Sequence, residues 1–384
     1  MSVPVPVAWL QLTKEPLRLA AAVAGISFAV ILMLVQLGFE DALLTSSGIH
    51  LSSLNCDLVL VSPEYQYVVG AGHFSERQLF RAFALNEVAS VNKIYVAPTP
   101  LKNPAHGSDR AILALGLAPV PGVLSIPAVD ESIQRLRDPD TALFDEHCRP
   151  EFSTLPADFR KGLPAEAEIA GRKIKIVGVF SLGTSFGVDG NIIVSDQEFL
   201  RIFPYRNSDE ADIGLVRLRP GADPESARAR LERLIGPGVK VFTHAGIVAR
   251  ERNYWATNTP VGVVFRVGLI MGLFVGLIIV YQILYSDVTD HLREYATLKA
   301  IGYRDRDLAL IVVRQAMILS VFGFIPGVAI SQGVYYIAAS ATLLPLEMTA
   351  ANIVAVYFLT AGMCSLSGIL AARRLRSAEP ASIF

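Results

Sequence analysis

The 384 residues are 52% hydrophobic and only 18% charged, with a positive mean hydropathy; a soluble domain of this length seldom carries that balance, and lipid is the first suspect as its solvent. The net charge is −1 and the longest basic run is Arg373-Arg374-Leu375-Arg376, so the electrostatic footprint of a nucleic-acid binder is missing and that class of partner is set aside. The three cysteines, Cys56, Cys148 and Cys364, are too few and too dispersed for a disulfide framework or a zinc site, and a Cys56–Cys148 bridge stays open only if both lie outside the membrane.

Residues 1–18 form a short N-terminal segment carrying Lys14 and Arg18. Residues 19–39, LAAAVAGISFAVILMLVQLGF, then supply about the 20 apolar residues needed to cross a hydrocarbon core. This run is longer than the apolar region of a signal peptide and no A-x-A-like site follows it, which favours a retained span over a cleaved leader.

Residues 40–260 are polar by comparison and read as folded. Asp57 to Ser62 is strand-like, Glu76 to Leu85 helix-like and Val91 to Ala97 strand-like; Ile213 to Leu218, Pro224 to Ile235 and Val239 to Phe242 repeat that order. Two strand-helix-strand units flanking a middle section suggest a ferredoxin-like α/β subdomain with a β-rich insertion. Within the insertion Arg172 to Phe180 alternates as a strand does, whereas the proline-rich stretch from Pro98 to Pro127 reads as loops between short strands.

Three further apolar stretches follow at 261–285, 308–338 and 353–372, each long enough to cross. The predicted fold class is an α-helical membrane protein with four transmembrane helices, one plus three, and a large α/β extracytoplasmic domain inserted between helices one and two. Orientation follows from lysine and arginine in short loops. Lys14 and Arg18 precede the first span, Arg293, Lys299, Arg304 and Arg306 lie in 286–307, and Arg373, Arg374 and Arg376 lie in the tail 373–384. The short loop 339–352 has neither residue type and belongs outside, as does the long insert; both termini are then cytoplasmic.

Candidate chemistry is sparse. No Gly-Lys dipeptide exists to end a phosphate loop, and Gly183 to Gly190, GTSFGVDG, reads as a turn. The six histidines show no helical pairing for a metal, and four adjacent side chains, Asp145, Glu146, His147 and Cys148, cannot easily converge on one ion. Gly183 to Gly187 within that turn has the Gly-x-Ser-x-Gly spacing, but a Ser, His, Asp triad cannot be inferred from spacing alone, so no catalytic, cofactor or metal residues are assigned. Within the spans Gly268, Gly272 and Gly276 recur at every fourth position and clear a face for helix packing. The partner of that seam is the first span, where Ala21 and Gly25 share the spacing, or the same helix of a second subunit. Gly323, Pro326 and Gly327 interrupt the third span and suggest a kink, and Arg266 and Arg314 are placed to snorkel from the span ends.

Between the second and third spans, Ser286 to Asp307 reads as a short helix with a stop and a restart. Asp287 and Asp290 suit its positive N-terminal end, Leu292, Tyr295 and Ala296 share a face, and Gly302 can end it before Asp305 begins the next helix. Either an ordinary juxtamembrane loop or a rigid helix receiving a push from a cytosolic protein fits this pattern.

The run Arg293-Glu294-Tyr295-Ala296-Thr297-Leu298-Lys299-Ala300-Ile301-Gly302-Tyr303 resembles the R-E-x-A-x-L-[KR]-A-[IL]-G signature of FtsX/MacB-type ABC permeases, and Ala378-Glu379-Pro380-Ala381 resembles that family's C-terminal end. More narrowly, Phe144 to Phe152, Gly190 to Phe203 and the phrasing of the first span resemble the DevC branch of heterocyst-type exporters, although Cys148 stands where that branch has a serine.

The resemblance implies a non-catalytic, homodimeric permease of the inner (cytoplasmic) membrane, itself without a cofactor. ATP would be bound by a DevA-like ABC ATPase, and a DevB-like membrane fusion protein would lead to a TolC-like outer-membrane channel. It assigns ATPase coupling to Leu292, Arg293, Glu294, Ala296, Leu298, Lys299, Ala300, Ile301 and Gly302. The alternative within the resemblance is an FtsX-like or lipoprotein-releasing-type permease that regulates a periplasmic hydrolase or extracts lipoproteins.

Overall fold

The computed structural model describes residues 15–102, 109–185 and 187–373. Lys14, His106, Phe186, Arg374, Arg376 and the Ala378-Glu379-Pro380-Ala381 run lie outside the described residues. The chain divides into a helical unit, Met1–Ala42 with Pro260–Thr342 and Leu346–Phe384, and an α/β unit, Leu43–Thr259 with Leu343–Pro345.

Among the described residues of the chain, four helices are long and apolar enough to cross a membrane: Pro16–Ser47, Pro260–Asp290, Asp305–Thr342 and Ala350–Ala372. Each extends past the stretch predicted from hydropathy, because helical hydrogen bonding continues into flanking polar residues after the apolar run ends. At about 1.5 Å per residue the 38-residue third helix is about 57 Å long, well beyond a hydrocarbon core of about 30 Å.

The third helix runs through Pro326 without ending. Its glycines admit the first helix instead: a Cβ built on Gly323 would lie 2.5 Å from the Ile26 Cβ, and one on Gly327 would lie 2.8 Å from the Val30 Cβ. In the same contact the Ser27 hydroxyl lies 2.8 Å from the Gly323 carbonyl and 2.7 Å from the Val23 carbonyl. Further along, the Tyr335 hydroxyl donates to the Leu34 carbonyl. Small residues that let backbones approach, together with hydroxyls bonded across the contact, are how helices associate where lipid removes the hydrophobic drive between them.

The α/β unit contains β1 (Leu58–Val61), β2 (Phe74–Ser75), β3 (Val88–Lys102), β4 (Asp109–Leu117), β5 (Thr141–Asp145), β6 (Glu166–Ile169), β7 (Arg172–Phe180), β8 (Asn191–Ser195), β9 (Glu210–Ala211), β10 (Ile213–Leu218) and β11 (Lys240–Thr243). Its helices are α1 (Ile49–Ser52), α2 (Glu76–Phe80), α3 (Pro127–Ser132), α4 (Thr154–Arg160), α5 (Asp196–Ile202), α6 (Pro224–Ile235) and α7 (His244–Thr257). The main sheet runs β11-β1-β10-β3-β4-β8-β5-β7-β6. Neighbours among its first four strands are antiparallel, with α2 in the β1-to-β3 connection and α6 in the β10-to-β11 connection, which is the ferredoxin-like order.

The insertion between β3 and β10 supplies the other strands, and a second pairing of β6 on β3, at Leu101↔Ile169 and Lys102↔Glu168, closes β3, β4, β8, β5, β7 and β6 into a ring. Successive side chains alternate between two cores. Ile192 and Val194 enter one while Ile193 enters the other, and Ala142 and Phe144 flank Leu143 in the same way.

The structure corrects the proline-rich stretch. Pro98 and Pro100 lie inside β3, opposite Leu113 and Ala111 of β4. The Val96 amide points away from β4 and donates to the Asp212 carboxylate at 2.7 Å; by the two-residue alternation of a strand the missing amides of Pro98 and Pro100 face that same side, where no ladder bond with β4 is lost.

α6 shows how fully local sequence can specify an element. Asp223 caps it by accepting from the Ser226 amide at 2.9 Å, Pro224 occupies its first turn, and Ala227, Leu231 and Ile235 form its buried stripe. Gly236, at φ 84°, ends it.

Candidate functional site

The second long helix does not stop before Asp287, as the sequence reading assumed, but continues to Asp290; His291 breaks it and a separate nine-residue linking helix, Leu292–Ala300, follows. Asp287 and Asp290 therefore occupy the last turn of one helix instead of the first turn of the next. Carboxylates oppose the partial negative charge at a helix C-terminus, so this placement needs a compensating cation. Arg18 of the first helix is that cation, with Nη2 donating to Asp290 Oδ2 at 2.6 Å and Nη1 lying 3.9 Å from Asp287 Oδ1.

The linking helix ends in a Schellman turn. The Gly302 amide donates to the Lys299 carbonyl and the Tyr303 amide to the Leu298 carbonyl, each at 3.1 Å. Gly302 has φ 109°, a region that disfavours a side chain, which is why glycine stands there. The third helix restarts three residues later, with Asp307 reaching back to accept from the Arg304 amide at 3.1 Å. Lys299 Nζ, 2.9 Å from Asp305 Oδ1, ties the two helices across the turn. Caps at both sides and an ion pair between them hold the segment as a rigid corner.

Its two faces differ. Tyr295 and Ala296 are buried, and Leu292 and Leu298 pack partly on the core of the helical unit with Leu308 and Val312. The opposite side exposes Arg293, Glu294, Ala300 and Gly302, and beside them two large apolar side chains, Ile301 at 72% and Tyr303 at 48% exposure. The nine residues assigned to ATPase coupling thus divide: Arg293, Glu294, Ala300, Ile301 and Gly302 face outward, Leu292, Ala296 and Leu298 anchor the helix inward, and Lys299 braces the corner.

This helix lies in a segment, residues 266–380, that matches the family model described as FtsX-like permease C-terminal. That segment is similar to the C-terminal part of FtsX-like permeases, and it takes in the third and fourth helices and most of the second. No curated protein matches the chain. Solved structures similar to it include the extracellular domain of the noncanonic ABC-type transporter YknZ from Gram-positive bacteria, at 14% identity over 49% of this chain and 98% of that one with a TM-score of 0.34. The periplasmic region of MacB from Actinobacillus actinomycetemcomitans matches at 11% identity over 53% of this chain and 95% of that one, TM-score 0.35. A domain of a putative permease from Porphyromonas gingivalis matches at 16% identity over 49% and 86%, TM-score 0.30.

In the helical unit the glycine seam of the second helix meets the first and fourth helices of the same chain. Gly268 lies against the Gln36 side chain, Gly272 against Leu32 and Met33, and Gly276 against Ala29 and Met363. The spacing partner suggested by sequence is only half right: Gly25 abuts Ile279, but Ala21 is exposed. Arg266 lies 3.8 Å from Glu40 and Arg314 is exposed, both compatible with reaching out of the apolar layer. The Arg18 cluster was not read as a unit from sequence; the signal was present in two acidic residues one turn apart where a helix was expected to begin.

In the α/β unit the Asp145 to Cys148 cluster disperses to separate partners. Asp145 is fully buried and accepts from the amides of His147, Leu182 and Gly183 and from the Asn191 side chain at 2.7 to 3.1 Å, which organises the glycine-rich turn. Glu146 pairs with Arg160, and His147 Nδ1 lies 2.8 Å from Ser181 Oγ. Cys56 and Cys148 are free thiols, both pushed up to about 12 chiefly by burial. Among the described residues no group of three or more His, Cys, Asp or Glu side chains is placed to hold a metal.

Asn191 in turn contacts His50 Nε2 at 2.7 Å, and burial holds that imidazole below its ordinary 6.5 despite the hydrogen bond and the nearby Asp145 charge. The unfolded chain then takes up a proton at a pH where the folded chain refuses it, so this group's contribution to stability is complete above 6.5 and declines as pH falls from 6.5 through the lower folded value. His50→Gln, which retains a donor for Asn191, is expected to flatten the melting temperature against pH in that window; an unchanged slope would show that another group causes it.

Proposed function

We propose that the chain is the permease subunit of a MacB/DevC-like ABC export system, with the linking helix as the surface on which a separate ATPase docks. The single observation that carries this reading is the corner at 292–303: a helix anchored by Tyr295 and Ala296, closed at its C-terminal end by the Schellman turn, presenting Arg293, Glu294, Ile301 and Tyr303 to water. A mixed rim of charge around exposed apolar side chains is the composition of a docking patch. Because the helix is fixed at its buried face, a push on the exposed face moves the helices it joins instead of bending a loop.

In this reading the linking helix and both termini are cytoplasmic, the membrane is the inner membrane, and the α/β unit lies on the far side. Two permease copies would work with two DevA-like ATPases, and the α/β unit would meet a DevB-like membrane fusion protein leading to a TolC-like channel. Nucleotide closure shifts the linking helix, the long helices relay that shift, and cargo is driven through the outer assembly without crossing between the permease helices. The chain supplies force transmission and the partner supplies hydrolysis. The second reading, an FtsX-like or lipoprotein-releasing-type permease, rests on the same family match; the size of the α/β unit, with its closed ring of strands, favours export.

Glu294→Lys tests the docking face. It is expected to lower ATP turnover of the permease–ATPase complex by about tenfold through charge mismatch, at a cost to the permease of about 1 kcal/mol or less from the helix dipole. Turnover equal to wild type, at equal permease abundance, would remove the docking role from this face.

A further inference from the structure

The ion cluster at the base of the helical unit joins more elements than helix-end neutralisation requires. Asp287 is only 7% exposed, and its carboxylate is approached from three directions. Arg18 of the first helix lies 3.9 Å from Oδ1, Gln315 of the third helix donates a hydrogen bond, and His291, the residue that turns the chain into the linking helix, has Nδ1 3.5 Å from Oδ1. One turn on, Asp290 holds Arg18 directly at 2.6 Å, while Glu15, just before the first helix, lies 2.9 Å from Arg18 Nη1.

A buried carboxylate is costly unless paired, and apolar side chains would fill the same volume more stably. Its retention at the hinge between the second helix and the linking helix therefore fits a directional contact better than it fits a stabilising one. The Arg18–Asp290 pair itself is open to water, with side chains 32% and 49% exposed, and pairs of that kind add little to stability. Breaking it is an event the fold can survive.

We propose that Arg18, Asp287 and Asp290 form a latch that makes the first helix move with the linking helix, Arg18 acting as a positioning residue for force transmission. The proposal rests on the docking role given above. In a chain whose first helix is separated in sequence from the other three by more than 200 residues, no covalent segment near the linking helix can pull on it. Besides the packing of the first helix along the bundle, the guanidinium gives it a charged contact with the turn that leads into the linking helix, and its planar fork can hold two carboxylates at once whereas an ammonium is a point charge.

The test is hydrogen exchange on the full chain, reconstituted with its ATPase in lipid discs, with and without ATP plus vanadate. In wild type, nucleotide is expected to change exchange both in 284–302 and in 16–47. In Arg18→Gln the change in 284–302 is expected to persist and that in 16–47 to shrink about threefold or more, with Arg18→Lys recovering part of it. Equal responses in 16–47 for Arg18→Gln and wild type would overturn the latch, as would a uniform rise in exchange over the whole helical unit that Arg18→Lys does not reverse, since that marks a purely structural role. A wild type with no nucleotide response in 284–302 would instead refute the docking role. The latch is then decided without nucleotide: faster exchange confined to the 284–291 turn in Arg18→Gln supports it, and no change there overturns it.

Discussion

Ile301→Asp is expected to abolish productive association with the ATPase while leaving the permease folded. Ile301 is 72% exposed, so its replacement removes almost no buried area from the chain itself. Covering such a side chain on docking contributes on the order of 2 kcal/mol, about thirtyfold in affinity, and burying an unpaired aspartate in its place adds a desolvation cost to that loss. The measurement is co-purification and ATP turnover across a titration of ATPase, alongside a melting curve. Tyr295→Ala is the informative contrast: that ring is 1% exposed, and its loss should cost about 3 kcal/mol or more of stability because it empties the anchor of the linking helix. If Ile301→Asp melted early and bound normally, the exposed and anchored faces would have been assigned the wrong way round.

The second large effect concerns the glycine seam. A Cβ built on Gly276 lies 2.7 Å from the Ala29 Cβ, which sits rigidly on the first helix, whereas one built on Gly272 lies at 3.4 Å from Leu32 and Met33, ordinary van der Waals contact. Gly276→Ala is therefore expected to destabilise the helical unit by about 1–3 kcal/mol by forcing the first and second helices apart. Gly272→Ala should stay within about 1 kcal/mol of wild type, because the native conformation is helical and the space is present. Thermal melting in mild detergent separates the two; equal effects would mean that the helices can shift to absorb a methyl group anywhere along the seam.

Much of this architecture was legible in the sequence where one local rule acted alone. Four apolar runs announced four long helices, the alternation of Arg172 to Phe180 announced β7, and Pro224 to Ile235 was read as the helix that became α6. Reading failed where a long-range partner decided the outcome. Pro98 and Pro100 looked like loop residues because sequence cannot show that the side of β3 they face carries no ladder bond there. Asp287 and Asp290 looked like the start of a helix because the offsetting charge, Arg18, lies 272 residues from Asp290 in the sequence. The linking helix was partly legible: the motif marked the segment and Leu292, Tyr295 and Ala296 shared a face, but the fold shows that face turned inward with Leu298, and Ile301 and Glu294 turned out.

A photo-crosslinking residue placed at Tyr303 in cells, followed by identification of the captured protein, tests the central claim most directly. The result expected is an ABC-type ATP hydrolase, captured from the cytoplasmic side and lost when Ile301→Asp is added. Capture of no ATP hydrolase, or labelling of Tyr303 by a reagent confined to the extracytoplasmic side, would contradict the account.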